Sequence, residues 1–310
     1  MMSSSQFYGA GEFLINRGKL LPNCSWTHGV IFGYCSAPLI ITREDSAFSY
    51  HLVTDENQGS LAREMFSNVE VVGLPFAHAL LQFYDPCLVR NINRLFLSAH
   101  NIARTNETPL DVLVSRAINE GCDALILQGK HFEAIFGVDN LYASYKQIKV
   151  VKGAYAGDSG SYRRIISIFS RTKVLVTDSP GSHVFYASLC GCKVSVNLLP
   201  LGNLDAVRKA TLGGLIEPWM SSLITHFNDD SAAEVAAEAK AFGALDEASQ
   251  QELSRDKIGL QFIGNLSRVR REINNISTLK LAAKNAKLIR YKLESRVIER
   301  YRNLSATVLP

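Results

Sequence analysis

The sequence predicts an α/β protein: parallel sheets covered by helices over its first two-thirds, then a helical C-terminal extension. Three observations carry this. Short runs rich in Val, Ile and Leu recur at 29–33, 38–42, 51–55, 69–75, 94–99, 123–129, 147–151, 173–178 and 193–197. Helical stretches such as 109–121 and 161–172 separate them, as parallel strands require. From about Leu215 onward the chain is rich in Ala, Glu, Lys and Leu and offers no strand candidate.

At 310 residues the chain is long enough for two domains, each with its own core. The "DPCLVRN" segment (85–91) is the expected join. The predicted units are therefore 1–90, 91–214 and a helical extension over 215–310. The first unit is short for a complete doubly wound half. Either an N-terminal piece is lacking or a neighbouring subunit completes it, so a homo-oligomer is one expectation.

A hydrophobic content of 47% and a charged content of 20% belong to a globular chain. The formal charge of +4 is unevenly spread. Eleven Lys/Arg and three Asp/Glu lie between Arg268 and Arg302, a net of +8, which leaves −4 for the remainder. In the same region Ala282, Ala286, Ile289, Leu293, Val297 and Tyr301 form an apolar stripe at helical spacing. That basic helix has two readings: a solvated face packed on the body, or a peripheral contact with an anionic membrane. Nucleic acid is not an expected partner, because the basic residues are not interleaved with exposed aromatics. There is no signal-peptide pattern and no run of roughly 18 apolar residues, so the expected location is cytoplasmic, at most peripheral to the inner face of the membrane. The six cysteines show no metal spacing and read as free, buried thiols.

The most informative stretch is "KVLVTDSPGSHVFYASLCGCKVSV" (173–196), a strand, a turn, a small-residue helix and a second strand. In open parallel sheets, ligands bind beyond the carboxyl ends of strands, where loops feed helix N-termini. Asp178, Ser179, Pro180, Gly181, Ser182 and His183 occupy such a place. Pro180 suits a first helical turn and Ser179 is its natural N-cap. Gly181 lets a bulky group approach the backbone. The arrangement serves equally as a helix cap or as a phosphate site, with N–H donors, dipole and hydroxyls converging.

Together with "SWTHGV" (25–30), "VEVVGLPF" (69–76) and "RLFLSAHN" (94–101), this block resembles the bacterial surface-polysaccharide glycosyltransferases of the GT-B type, which serve capsule and lipopolysaccharide assembly. The resemblance spans roughly residues 25 to 200. It implies two Rossmann-like units forming a cleft, with a nucleotide-sugar donor held by Asp178, Ser179, Gly181, Ser182 and His183. The acceptor would be a glycan or a lipid-linked glycan. Paired hydroxyls at the helix resemble users of CMP-sugars (sialic acid or Kdo transferases) slightly more than users of UDP-sugars. Two alternatives stay open: a nucleotide-sugar epimerase or hydrolase of the same build, and a non-catalytic scaffold in a glycan-assembly complex.

The candidate catalytic residues are His28, Asp55, His100 and Asp158, each at or just after a strand end. An imidazole or carboxylate there is placed for proton transfer or nucleophilic attack. Asp158 equally suits capping of the helix that follows. His51, His78, His131 and His226 lack such a setting. No Asp-x-Asp stands at a strand end, so no metal is expected, and no other cofactor. The absence of Gly-x-Gly-x-x-Gly and of a P-loop argues against a dehydrogenase or P-loop ATPase.

Overall fold

The computed structural model describes residues 4–16, 19–20, 24–27, 29, 50–98, 109–127, 142–145, 147–154, 157–178, 181–197 and 229–275. The chain is α/β. Its larger sheet has six strands: β6 (Ile92–Phe96), β7 (Ala124–Leu127), β8 (Tyr142–Tyr145), β9 (Ile148–Lys152), β10 (Thr172–Thr177) and β11 (Lys193–Val196). Their order is β11-β10-β6-β7-β9-β8. Every pairing is parallel except the edge pair β8–β9.

Alternation along these strands explains the layers. Phe96, Leu125, Leu127, Val150 and Val176 pack on one face with Leu113, Val114 and Ala117 of α3 (Leu110–Asn119). Their neighbours Leu95, Ile126, Val151 and Leu175 join the opposite face. There they meet Ile166 and Phe169 of α4 (Ser161–Ser170) and Val184 and Phe185 of α5 (Ser182–Leu189). Strands buried on both sides need continuous apolar runs, and "ALIL" of β7 is buried throughout.

The winding fixes where a ligand could bind. The chain enters at β6, adds β7 and β9 on one side, then returns through α4 to lay β10 on the other flank of β6. This is the doubly wound order, and its direction reverses between β6 and β10.

A smaller parallel sheet holds β3 (Cys24–Trp26), β4 (Tyr50–Val53) and β5 (Val69–Val71) in that order. Helix α1 (Glu56–Met65) links β4 to β5, and α2 (Pro75–Phe83) follows. The strand expected over 69–75 stops at Val71, because Gly73 turns at φ 78° and Pro75 opens α2. Short pieces β1 (Ile15–Asn16) and β2 (Lys19–Leu20) pair antiparallel after a 3-10 segment, Ser4–Leu14. Neither they nor β3 and β8 are among the strands expected from sequence. Of the strand expected at 29–33 only Gly29 is described, outside any strand; the strand expected at 38–42 lies outside the described residues.

Beyond the sheets, residues 229–275 are helical as expected: α6 (Asp229–Ala244), α7 (Glu247–Lys257), a 3-10 turn at Leu260–Phe262 and α8 (Ile263–Asn275). This extension touches both sheets. Gln250 on α7 is fully buried; its amide accepts from Val194 N and donates to Val194 O, both at 2.9 Å, occupying the open edge of β11. Leu74 N donates to Ile258 O at 2.9 Å and Asn265 to Val71 O at 2.8 Å, at the edge of the smaller sheet. One core cluster therefore contains Trp26, Leu52, Phe76, Phe185, Phe242 and Leu266. At the join, the Arg90 guanidinium donates to the carbonyls of Thr172 (3.1 Å), Cys190 (3.4 Å) and Gly191, binding 85–91 to the end of α5.

Among the described cysteines, Cys24, Cys122, Cys190 and Cys192 are free and buried. Cys87 departs from the expectation: it is exposed in the join, where few apolar side chains surround it. No helix among the described residues is long and apolar enough to cross a membrane. The basic helix expected near 280–302 lies outside the described residues.

Candidate functional site

The Ser-Pro-Gly-Ser-His turn falls at the point where the winding reverses. β10 ends at Thr177, Asp178 follows, and α5 starts at Ser182. Beside it, Leu97 N donates to Val176 O at 3.0 Å, carrying the β6–β10 pairing to the end of both strands. Ser98 follows there, and His100 lies outside the described residues.

The cap of α5 differs from the sequence expectation. The helix begins two residues later than a Ser179 cap implies, so Gly181 is the N-cap residue, and it makes no side-chain cap hydrogen bond. Ser179 and Pro180 lie outside the described residues. A glycine cap leaves the first turn covered by no side chain of the cap residue itself, and the dipole there favours an anion.

The side chains of this turn are organised by specific partners. The Asp178 carboxylate, 7% exposed, accepts from Arg116 Nη1 of α3 at 2.8 Å and so faces the α3 layer. His183 Nε2 hydrogen-bonds Thr177 Oγ1 at 2.8 Å, which folds the imidazole back over the end of β10. A Cβ at Gly181 would come 2.9 Å from His183 Nδ1, so a larger residue would press on the ring. The Ser182 hydroxyl bonds with that of Tyr186, one turn further along α5.

The smaller sheet reaches this place. A Cβ on Gly29 would lie 3.3 Å from Ser182 Oγ, so Gly29, shortly after β3, abuts the first turn of α5. His28, just before it in sequence, lies outside the described residues.

Asp55 and Asp158 are engaged elsewhere. Asp55 is the N-cap of α1, accepting from Gln58 N at 2.9 Å. Asp158 accepts from Gly160 N at 2.9 Å and pairs with Arg164. Burial works against its charge, but the Arg164 hydrogen bond, the Gly160 N–H and the nearby Arg164 and Lys152 charges hold the carboxyl below its ordinary value. A carboxylate so held is a weak base at neutral pH. His51 and His78 are core residues, bonded to Ser25 Oγ at 2.8 Å and Val72 O at 2.9 Å.

Arg116, Tyr186 and Phe76 are the neighbours that sequence reasoning missed. A single Arg on an amphipathic helix carries no signal of its own. Tyr186 stands within the quoted motif, yet its bond to Ser182 follows only from helical spacing. Among the described residues no group of three or more His, Cys, Asp or Glu could hold a metal ion. No protein-family model matches the sequence, and no curated protein does.

Proposed function

We propose that the protein is a GT-B-like glycosyltransferase that moves a sugar from a nucleotide-activated donor to a growing bacterial surface glycan. The observation that carries this is the placement of the Ser-Pro-Gly-Ser-His turn at the reversal between β6 and β10, against Gly29 of the smaller sheet. Ligands of open α/β sheets bind at that reversal. The donor phosphate would be held by the first turn of α5, with Gly181, Ser182 and His183 around it. Asp178 would act by fixing the turn through Arg116.

The chemistry follows from charge. Breaking the sugar–phosphate bond leaves negative charge on the nucleotide, and preorganised N–H groups and hydroxyls stabilise it at the moment it forms. The sequence lacks Asp-x-Asp, so this reading assigns that task to the helix and its side chains. A CMP-sugar donor and a glycan or lipid-linked acceptor are proposed with it, the latter reached from the inner membrane face.

Calorimetric titration with CMP, UDP and GDP, with and without EDTA, tests the reading. Binding of one nucleotide that survives chelation is expected. Failure of all three to bind removes the donor site; loss with EDTA and recovery with magnesium or manganese removes its metal independence.

A further inference from the structure

Helix α7 is tied to both sheets. Along its length it packs on α5, and Gln250 joins it to β11 through Val194. Past its end Ile258 is fully buried, and its carbonyl accepts from Leu74 N at 2.9 Å. Gly259 follows at φ 69°, in the left-handed region where glycine is the unstrained residue.

The contact at Gly259 is backbone on both sides. A Cβ there would overlap the carbonyl of Thr54, just past β4, and come 2.9 Å from Gly73 Cα, just past β5. Gly73 is confined in return: at φ 78°, a Cβ on it would lie 2.5 Å from Gly259 O. Backbone atoms cannot rotate aside as the tip of a side chain can, so neither position has room for a methyl group. The Gly73 carbonyl also accepts from Nε1 of the fully buried Trp26, at the end of β3, at 2.8 Å. The extension thus enters the smaller sheet at the carboxyl ends of its strands.

Those same ends lead to Gly29. Thr54 Oγ1 and Thr27 Oγ1, both of buried residues, hydrogen-bond at 3.2 Å, and Gly29 follows Thr27 by two positions to meet Ser182. The contacts close a circuit: α5 to α7, Gly259 to Thr54, Thr54 to Thr27, and Gly29 back to α5. Phe76 of α2 braces it, stacked on Tyr186 of α5 with ring centroids 3.8 Å apart. Units joined by a small polar contact rotate freely; units sharing a core do not.

We infer that Gly259 and Gly73 are positioning residues: their backbone contact sets the gap between Gly29 and Ser182, and the two sheets hold together as one body instead of opening and closing on each other. That this gap receives the donor rests on the proposed function; the gap itself does not. A width fixed before any nucleotide arrives spares binding the cost of ordering the site.

The test is disulfide formation by oxidised glutathione in a chain carrying G29C and S182C, with Cys35→Ser and Cys87→Ser. A Cβ at 29 lies 3.3 Å from Ser182 Oγ, within reach of such a bond. Adding G259A is expected to slow closure roughly 10- to 100-fold with circular dichroism unchanged. Equal rates in the folded variant overturn the positioning role. Hydrogen exchange of the wild-type chain needs no substitution: the Leu74 and Val194 amides, bonded to opposite ends of the α7 segment, are expected to exchange together, at the rate of global unfolding. Faster exchange of Leu74 alone would mean that the smaller sheet leaves the extension, and overturns the single body. Titration of G259A with CMP, UDP and GDP separates the donor reading. Weaker binding of the preferred nucleotide than by wild type supports it, and unchanged affinity beside slowed closure detaches the gap from the donor. A wild-type chain that binds none removes the donor reading and leaves the crosslinking result to decide the gap.

Discussion

Arg116 and Asp178 join the two helical layers through the end of the sheet: a guanidinium on α3 meets a carboxylate at the mouth of β10, 2.8 Å apart. Asp178 has a 7% exposed side chain and Arg116 a 31% exposed one, so the pair is screened far less than a surface ion pair. Removing Arg116 leaves a largely buried carboxylate without its cation. R116M is therefore expected to lower stability by about 1.5–3 kcal/mol in urea unfolding, and D178N by less, since the amide can still accept a hydrogen bond. Equal unfolding midpoints in R116M and wild type would show the pair to be ornamental.

Ser182 and His183 should carry nucleotide affinity rather than stability. S182A and H183A are each expected to weaken nucleotide binding by roughly 1.5–3 kcal/mol, with circular dichroism and melting close to wild type. Binding unchanged in both moves the donor elsewhere. Unfolding of H183A alone would instead assign the imidazole, through Thr177, to holding the end of β10.

Asp158 makes stability depend on acid. Its folded pKa is depressed, chiefly because the Arg164 and Gly160 hydrogen bonds outweigh burial, which acts in the opposite sense. The stabilisation is therefore complete above the ordinary carboxylate value and is lost as pH falls through the lowered one. D158N should be less stable than wild type at neutral pH, by about 1–2 kcal/mol, and the difference should close as pH falls below the ordinary carboxylate range. A difference between the two that does not vary with pH removes this account.

The thiols should divide sharply. Burial pushes Cys24 and Cys192 up to about 12 and Cys122 to about 11, so each stays protonated and shielded in the native state. Cys87 is exposed. In a Cys35→Ser background, native protein should react with iodoacetamide at Cys87 first, and at the other four only after unfolding. Mass spectrometry of early adducts checks this; early labelling of Cys24 or Cys192 would contradict the packing.

The strands of the larger sheet were legible because burial on both faces leaves long Val, Ile and Leu runs, and β6, β7, β9, β10 and β11 all fall within a few residues of expectation. Strand β8 was not: "YASY" lies on an edge, with polar and small residues that pattern reasoning reads as loop. The start of α5 was misplaced because proline and serine satisfy local rules for a cap, whereas the backbone takes Gly181 as its cap. The partners of the site were less legible still. Arg116 reaches Asp178 across 62 positions in sequence, and no local pattern encodes that distance. Asp55 and Asp158 show the converse, since a strand-end aspartate looks alike whether it caps a helix or performs chemistry.

Gln250 has a consequence for how copies of this chain can meet. A parallel edge strand is a template on which another chain can grow, and β11 would be one. The amide of Gln250 presents to Val194 what a neighbouring backbone would present, one acceptor and one donor, and a third bond from its nitrogen to Phe242 O at 3.0 Å holds it there. A strand arriving from outside would have to displace a fully buried side chain with all three bonds made. Self-association through continuous sheet is thereby blocked at this border, and replacing this one glutamine with leucine would open it to aggregation.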